Sequence, residues 1–109
     1  FDEYFGLPYS NDMWPPNGSH WPRLFLHQGT EPVEEVTNLE DQAKLTQRYT
    51  DKAVDFIQRS KDKPFFLYLA HAMPHVPIAA SPKFRGKTGF GLYADTVAEL
   101  DHSVGEVLA

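Results

Sequence analysis

Residues 64–77 read Pro-Phe-Phe-Leu-Tyr-Leu-Ala-His-Ala-Met-Pro-His-Val-Pro. Phe65 to Ala70 is an unbroken apolar run, set off from the chain before it by Lys61-Asp62-Lys63 and Pro64. A run this short without polar alternation predicts a strand over 64–71 buried on both faces, as in a parallel sheet covered by helices. A short buried helix is the alternative, because periodicity does not separate the two. His71 and His75 follow, with prolines at 74 and 77. Each proline disfavours helical backbone at the residue before it, here Met73 and Val76. His75 is thereby expected on extended backbone just past the strand's carboxyl end, where open α/β sheets bind ligands.

Upstream, Thr37-Asn38-Leu39-Glu40 has the form of a capping box, with Thr37 as cap and Glu40 answering three residues on. Leu45, Tyr49, Ala53, Phe56 and Ile57 then recur at helical spacing, while Lys44, Arg48, Asp51, Lys52 and Asp55 fall largely elsewhere. This predicts a helix over 39–60 (37–60 with its cap), ended before Pro64. Helix, short loop and strand make half of a βαβ unit, so the class is α/β. Leu24-Phe25-Leu26 reads as a short strand, residues 28–32 as a turn, and Val33 to Val36 as the second arm of a hairpin. The rest of residues 1–36 is irregular and rich in aromatics (Phe1, Tyr4, Phe5, Tyr9, Trp14, Trp21), an ordered loop region rather than a disordered one. Within it, Ser10, Asn11 and Asp12 form a polar knot that reads, by itself, as a solvated turn.

Downstream, residues 72–91 hold Pro82, three glycines and the basic residues Lys83, Arg85 and Lys87, and are expected to loop over the strand end. Arg85 and Lys87 are available there to an anionic substrate. Residues 92–109 are helical in pattern: Val97, Leu100, Val104 and Val107/Leu108 form one apolar stripe, with Asp95, Glu99 and Glu106 outside it. Asp95 is favourably placed near the positive end of that helix.

The whole chain is 109 residues, enough for one domain with a modest core. A formal net charge of −5 argues against a partner with a nucleic-acid backbone. No apolar stretch is long enough to span a membrane. There is no cysteine, hence neither a disulfide nor thiolate chemistry within these residues. Phe1 follows neither an initiator methionine nor a signal pattern, so an internal slice of something longer is expected. Asn17-Gly18-Ser19 matches a glycosylation acceptor, a triplet that arises readily by chance.

Four segments in this order carry a resemblance: Gly6-Leu7-Pro8-Tyr9-Ser10-Asn11-Asp12, the strand Phe65 to Ala70, Pro74-His75-Val76-Pro77, and Tyr93 through Leu108. They resemble the formylglycine-dependent arylsulfatases, as does the helix over 39–60. The likeness covers nearly the whole chain and is weakest over residues 14–36. It implies a partial catalytic domain of an alkaline-phosphatase-like α/β fold, with a central, largely parallel sheet covered by helices, and hydrolysis of sulfate monoesters. It also implies a calcium ion and a formylglycine nucleophile made from Cys or Ser in a Cys/Ser-x-Pro-x-Arg motif. Neither that motif nor the family's acidic calcium ligands occur here, so these residues are expected to bind no metal and to be inactive alone.

Residue by residue, His75 matches the histidine that contacts the sulfate ester and protonates the departing alcohol, a task suited to a group titrating near neutrality. Ser10 matches the serine of the Pro-Tyr-Ser loop beside the sulfate. His71 either lines the substrate side or supports the strand end. Asn11, Asp12, Arg85 and Lys87 are substrate-side candidates without an assigned role. The resemblance further implies a sulfate-ester small molecule or sulfated carbohydrate as substrate, and an exported (periplasmic or secreted) or lysosomal compartment. Two other readings stay open: a phosphomonoesterase or phosphonate hydrolase of the same superfamily, and a non-catalytic binding module using the aromatic N-terminal loop. With its edges unpaired, a strand over 65–70 would also promote self-association.

Overall fold

The computed structural model describes all 109 residues, which form a slab with extents of 44 × 36 × 16 Å. Strands β1 (Phe5–Gly6), β2 (Leu24–Gln28) and β3 (Glu31–Val36) pair antiparallel in the order β1-β2-β3. Gly29 closes the β2–β3 hairpin with φ of 62°, a left-handed conformation that costs glycine nothing. The register pairs Leu26 with Glu34 but His27 with Pro32, which leaves Val33 as a bulge. Pro32, lacking an N–H, is tolerated because β3 is an edge strand. Leu24, Leu26 and Val36 turn inward and are buried.

The helix expected over 39–60 is divided at Lys44 into α1 (Leu39–Ala43) and α2 (Leu45–Ser60). Its cap falls one residue later than Thr37. Asn38 Oδ1 accepts from the Asp41 N–H (2.9 Å), and the Asp41 carboxylate reaches back to the Thr37 N–H (2.9 Å) and hydroxyl (3.0 Å). The reciprocal logic of the box is kept, with Asn38 and Asp41 in the roles expected of Thr37 and Glu40. Led by the Thr37 N–H, these bonds hold the Asp41 carboxyl below its usual range. Glu40 turns instead to Arg85 (3.0 Å).

Residues 64–71 depart from the expected buried strand. None of the chain's backbone–backbone hydrogen bonds involves them. Exposure alternates along the segment: Phe66, Tyr68 and Ala70 are exposed, Leu67, Leu69 and His71 half-buried, which is the period of an extended chain. The segment is thus strand-like without a neighbouring strand, and the sheet these residues do form is the small antiparallel one. Phe66 and Tyr68 stand 73% and 72% exposed as a result.

Helix α3 (Leu92–Leu108) packs on α2, but with its polar side inward. Asp95 and Glu99, expected outside the apolar stripe, are each only 2% exposed, whereas Val97 and Val104 are 41% and 52% exposed. Specific bonds explain the inversion. The Asp95 carboxylate accepts from the Gly86 N–H (2.7 Å), the Thr88 N–H (3.1 Å) and the Thr88 hydroxyl (2.6 Å). Led by the Thr88 hydroxyl, they keep its carboxyl ionised to lower pH than usual. Glu99 Oε1 accepts from the Ser81 N–H (3.0 Å). Two carboxylates thereby tether the 80–90 loop.

The core lies between the β2–β3 hairpin, α1, the first half of α2 and the 69–79 segment, and includes Trp14, Leu24, Leu26, Leu45, Tyr49 and Met73. The accessible surface is 6975 Å² for 12.4 kDa. A compact monomer of that mass exposes about 6,100 Å², so the surplus is roughly one partner's share of a standard interface.

Asn38→Ala should lower stability by about 1 kcal/mol and Asn38→Ser should not, since serine can cap equally well. Thermal unfolding of the full-length protein compares the two; equal midpoints would remove the cap's assigned role.

Candidate active site

A cleft of about 300 Å³ opens between the N-terminal loop, α2 and the 70–75 segment. Ser10, His71 and His75, the three residues singled out from sequence, all line it. So do Asn11 and Tyr49, with Leu7, Tyr9, Ala70 and Ala72 supplying apolar wall. Hydroxyl and imidazole groups from the two halves of the chain thus converge on one partly apolar hollow, the usual form of a small-molecule site.

His75 stands on an exposed tip between buried anchors. Met73 before it and Ala79 and Ala80 after it are buried, while Pro74, His75 and Val76 face solvent. The peptide bonds Met73–Pro74 and Val76–Pro77 are cis. The His75 N–H donates to the Ala72 carbonyl (3.1 Å). Ring Nδ1 lies 2.7 Å from the Val76 carbonyl oxygen. A carbonyl only accepts, so Nδ1 carries a proton and Nε2 is the nitrogen left for chemistry.

Asn11 explains how the loop meets that tip. It is not a solvated turn residue: it is 2% exposed. Its Nδ2 donates to Gln42 Oε1 (3.2 Å) and to the His75 carbonyl (3.3 Å). Gln42, fully buried in α1, returns a bond from Nε2 to the Asn11 carbonyl (2.9 Å). One amide therefore links the Ser10 loop, α1 and the His75 tip.

His71 is half-buried and belongs to a second network. Its ring stacks on Tyr49 at 6.0 Å between centroids and 20° between planes. Its Nε2 lies 2.9 Å from Ser103 Oγ, and Ser103 Oγ lies 2.6 Å from Thr50 Oγ1. Burial lowers the His71 pKa, opposed in part by the negative charge of Glu99. Tyr49 accepts from the Leu7 N–H (3.3 Å), and burial pushes its phenol up to about 12.

Other expected residues stand elsewhere. Arg85 is occupied by the Ala80 carbonyl (3.0 Å) and Glu40, and neither Arg85 nor Lys87 lines the cleft. Asp12 lends its carbonyl to Asn17 Nδ2 (2.7 Å). The sequence pattern does not single out Gln42, Tyr49, Thr50 or Ser103 as site residues. Tyr49 reads only as part of the apolar stripe of its helix, and Gln42, Thr50 and Ser103 as ordinary helix residues. No three His, Cys, Asp or Glu side chains gather as a cation would require, and there is no cysteine.

The family model described as Sulfatase matches residues 1–109. The chain belongs to the sulfatase family. It is 39% identical over 119 residues to the N-acetylgalactosamine-6-sulfatase of Mus musculus, covering 100% of this chain and 22% of that protein. To arylsulfatase G of Rattus norvegicus it is 31% identical over 134 residues, covering 98% of this chain and 25% of the relative. A chain solved in work on the metabolism of multiple glycosaminoglycans by Bacteroides thetaiotaomicron superposes with a TM-score of 0.62 at 23% identity, over 97% of this chain and 25% of that one. The fold is thus that of a segment of the α/β sulfatase domain, spanning about a quarter or less of the length of these relatives.

Asn11→Ala should destabilise the full-length protein by about 1–3 kcal/mol, because it strands the buried Gln42 amide. Asn17→Ala, on an exposed bond, is the control and should change little. Denaturation of the two variants side by side checks this.

Proposed function

We propose that the full-length protein containing this chain is a sulfuric ester hydrolase of the arylsulfatase type. In this reading His75 acts as the imidazolium: Nδ1–H stays on the Val76 carbonyl, and Nε2–H contacts the bridging oxygen of the ester and gives its proton to the departing alcohol, leaving the neutral Nδ1–H ring. The Ser10 hydroxyl donates to a sulfate oxygen, and His71 lines the substrate side. The observation that carries it is the convergence of Ser10, His71 and His75 on one cleft, with the His75 ring oriented by its Nδ1 bond. The relatives' names favour a sulfated carbohydrate or aryl sulfate as substrate, and an exported or lysosomal compartment is proposed with them.

Calcium and a formylglycine nucleophile do not fit the residues present, which offer neither a cation-binding cluster nor a Cys/Ser-x-Pro-x-Arg motif. They would come from other parts of the protein, and the role assigned to this chain is to bind, orient and protonate. Orientation is the task of the Asn11 amide, and Leu7 and Tyr9 offer apolar surface to the leaving group.

Sulfate release from the full-length protein tests the reading with two esters, 4-nitrophenyl sulfate and the sulfate of a sugar or alkyl alcohol. His75→Ala should lose about 100-fold or more in kcat, the usual contribution of a general acid. The loss should be larger for the sugar or alkyl ester, whose alkoxide leaves poorly without a proton. Equal losses on both would remove the proton-donor role. Cleavage of phosphate but not sulfate esters would overturn the reaction. The 109-residue polypeptide by itself should show no turnover.

We also propose that this polypeptide, isolated, self-associates through the unpaired segment 65–70. Sedimentation should show a dimer or larger species that Phe66→Lys with Tyr68→Lys returns to monomer. A monodisperse wild-type monomer with cooperative unfolding would rule this out.

A further inference from the structure

We infer that Ser103 and Thr50 are positioning residues that hold His71 as its neutral Nε2–H tautomer, making the His71–Tyr49 stack an uncharged wall for the alcohol part of the ester. The inference deepens the hydrolase reading above and rests on it for the identity of the ligand.

Proton counting along the network fixes its direction. The Thr50 hydroxyl donates to the Thr46 carbonyl (2.7 Å), which can only accept. Its single proton is then used, so across the 2.6 Å contact Ser103 donates and Thr50 accepts. The Ser103 proton is used in turn, so across 2.9 Å Ser103 Oγ accepts from His71 Nε2–H. Thr50 and Ser103 are each 1% exposed, so no solvent competes for these bonds. Nδ1 supplies a second, independent observation: it is buried with no hydrogen-bond partner. An imidazolium would place a charged N–H there with nothing to accept it, at a larger cost than a bare lone pair. The groups that act on the ring from the packed helices are Tyr49 on α2 and Glu99 and Ser103 on α3, with Thr50 behind Ser103, and none of them is hydrogen-bonded to Nδ1.

The cleft is therefore divided. Ser10 and His75 supply its donor groups, while His71, Tyr49, Leu7 and Tyr9 present rings and aliphatic surface. An anionic sulfate gains nothing from a neutral imidazole, whereas a sugar face or aryl ring packs on such a wall. The alcohol part of the ester is assigned to the His71 side.

The test uses full-length protein with ¹⁵N-labelled histidine, the His71 signals being identified by their loss in His71→Gln. At pH 7, His71 should show a protonated Nε2 and a bare Nδ1. Ser103→Ala and Thr50→Val should each mix the tautomers. On an ester with a large alcohol they should raise KM about fivefold, the effect of one lost hydrogen bond. Their kcat should stay within about twofold of wild type, since the proton donor is His75. Ser103→Thr, which keeps the hydroxyl, should restore both readouts. An Nδ1–H tautomer or an imidazolium in the wild type would overturn the inference, as would unchanged spectra in both variants. The spectra need no turnover, so a protein that cleaves no sulfate ester but shows the bare Nδ1 would defeat the hydrolase reading and leave the tautomer assignment standing. The two variants alter different helices, and either one that folds decides the spectral arm.

Discussion

The buried amide pair of Asn11 and Gln42 is the constraint on which the site depends. Asn11 comes from the irregular N-terminal loop and Gln42 from a one-turn helix, neither of which has much regular structure to hold it. Buried amides without partners are costly, so the two satisfy each other, and the remaining Asn11 proton goes to the His75 carbonyl. Every alternative placement of the loop would break several such bonds together. The cap at Asn38 and the Arg85–Glu40 contact then fix α1, and hence Gln42, from its other end.

The second organising feature is the way polar groups on α3 replace apolar packing. Asp95, Glu99 and Ser103 occupy successive turns of one face, and each bonds something different: the 86–88 turn, the Ser81 amide, and Thr50 on α2. Such bonds are individually modest but geometrically exacting. Those of Asp95 and Glu99 hold the 80–90 loop on the helix, and that of Ser103 joins α3 to α2. Of the stripe, Leu100 packs against the core while Val97 and Val104 stand exposed, as do Phe66 and Tyr68.

Much of this architecture is legible in the residues. Helical spacing from Leu45 to Ile57 places α2, and the Gln28-to-Pro32 turn places the hairpin, because both are local patterns. The pairing of 64–71 is not local: an apolar run says that a strand wants neighbours, not where they are. The facing of α3 is misread for a related reason. Periodicity ranks side chains by water affinity, but Asp95 and Glu99 are drawn inward by loop N–H groups that no hydropathy pattern displays. At the site, the prolines around His75 and the likeness of its motif pick out the exposed tip. Asn11 is misjudged because an Asn beside Ser and Asp looks like a turn until Gln42 arrives from a different element. Ser103 and Thr50 leave almost no trace, since small hydroxyl residues on a helix are ordinary until they meet across an interface.

The anchoring of His75 on both sides has a consequence for how such a site can change over generations. Met73 and Ala79–Ala80 lock the segment into the interior, while Pro74 and Val76 project outward beside the imidazole. Replacement of the exposed Val76 side chain alters the surface beside the ring, while the Val76 carbonyl still accepts from Nδ1 and the buried anchors are untouched. The surface beside the imidazole can therefore change at Val76 while Met73 and Ala79–Ala80 keep the ring in register.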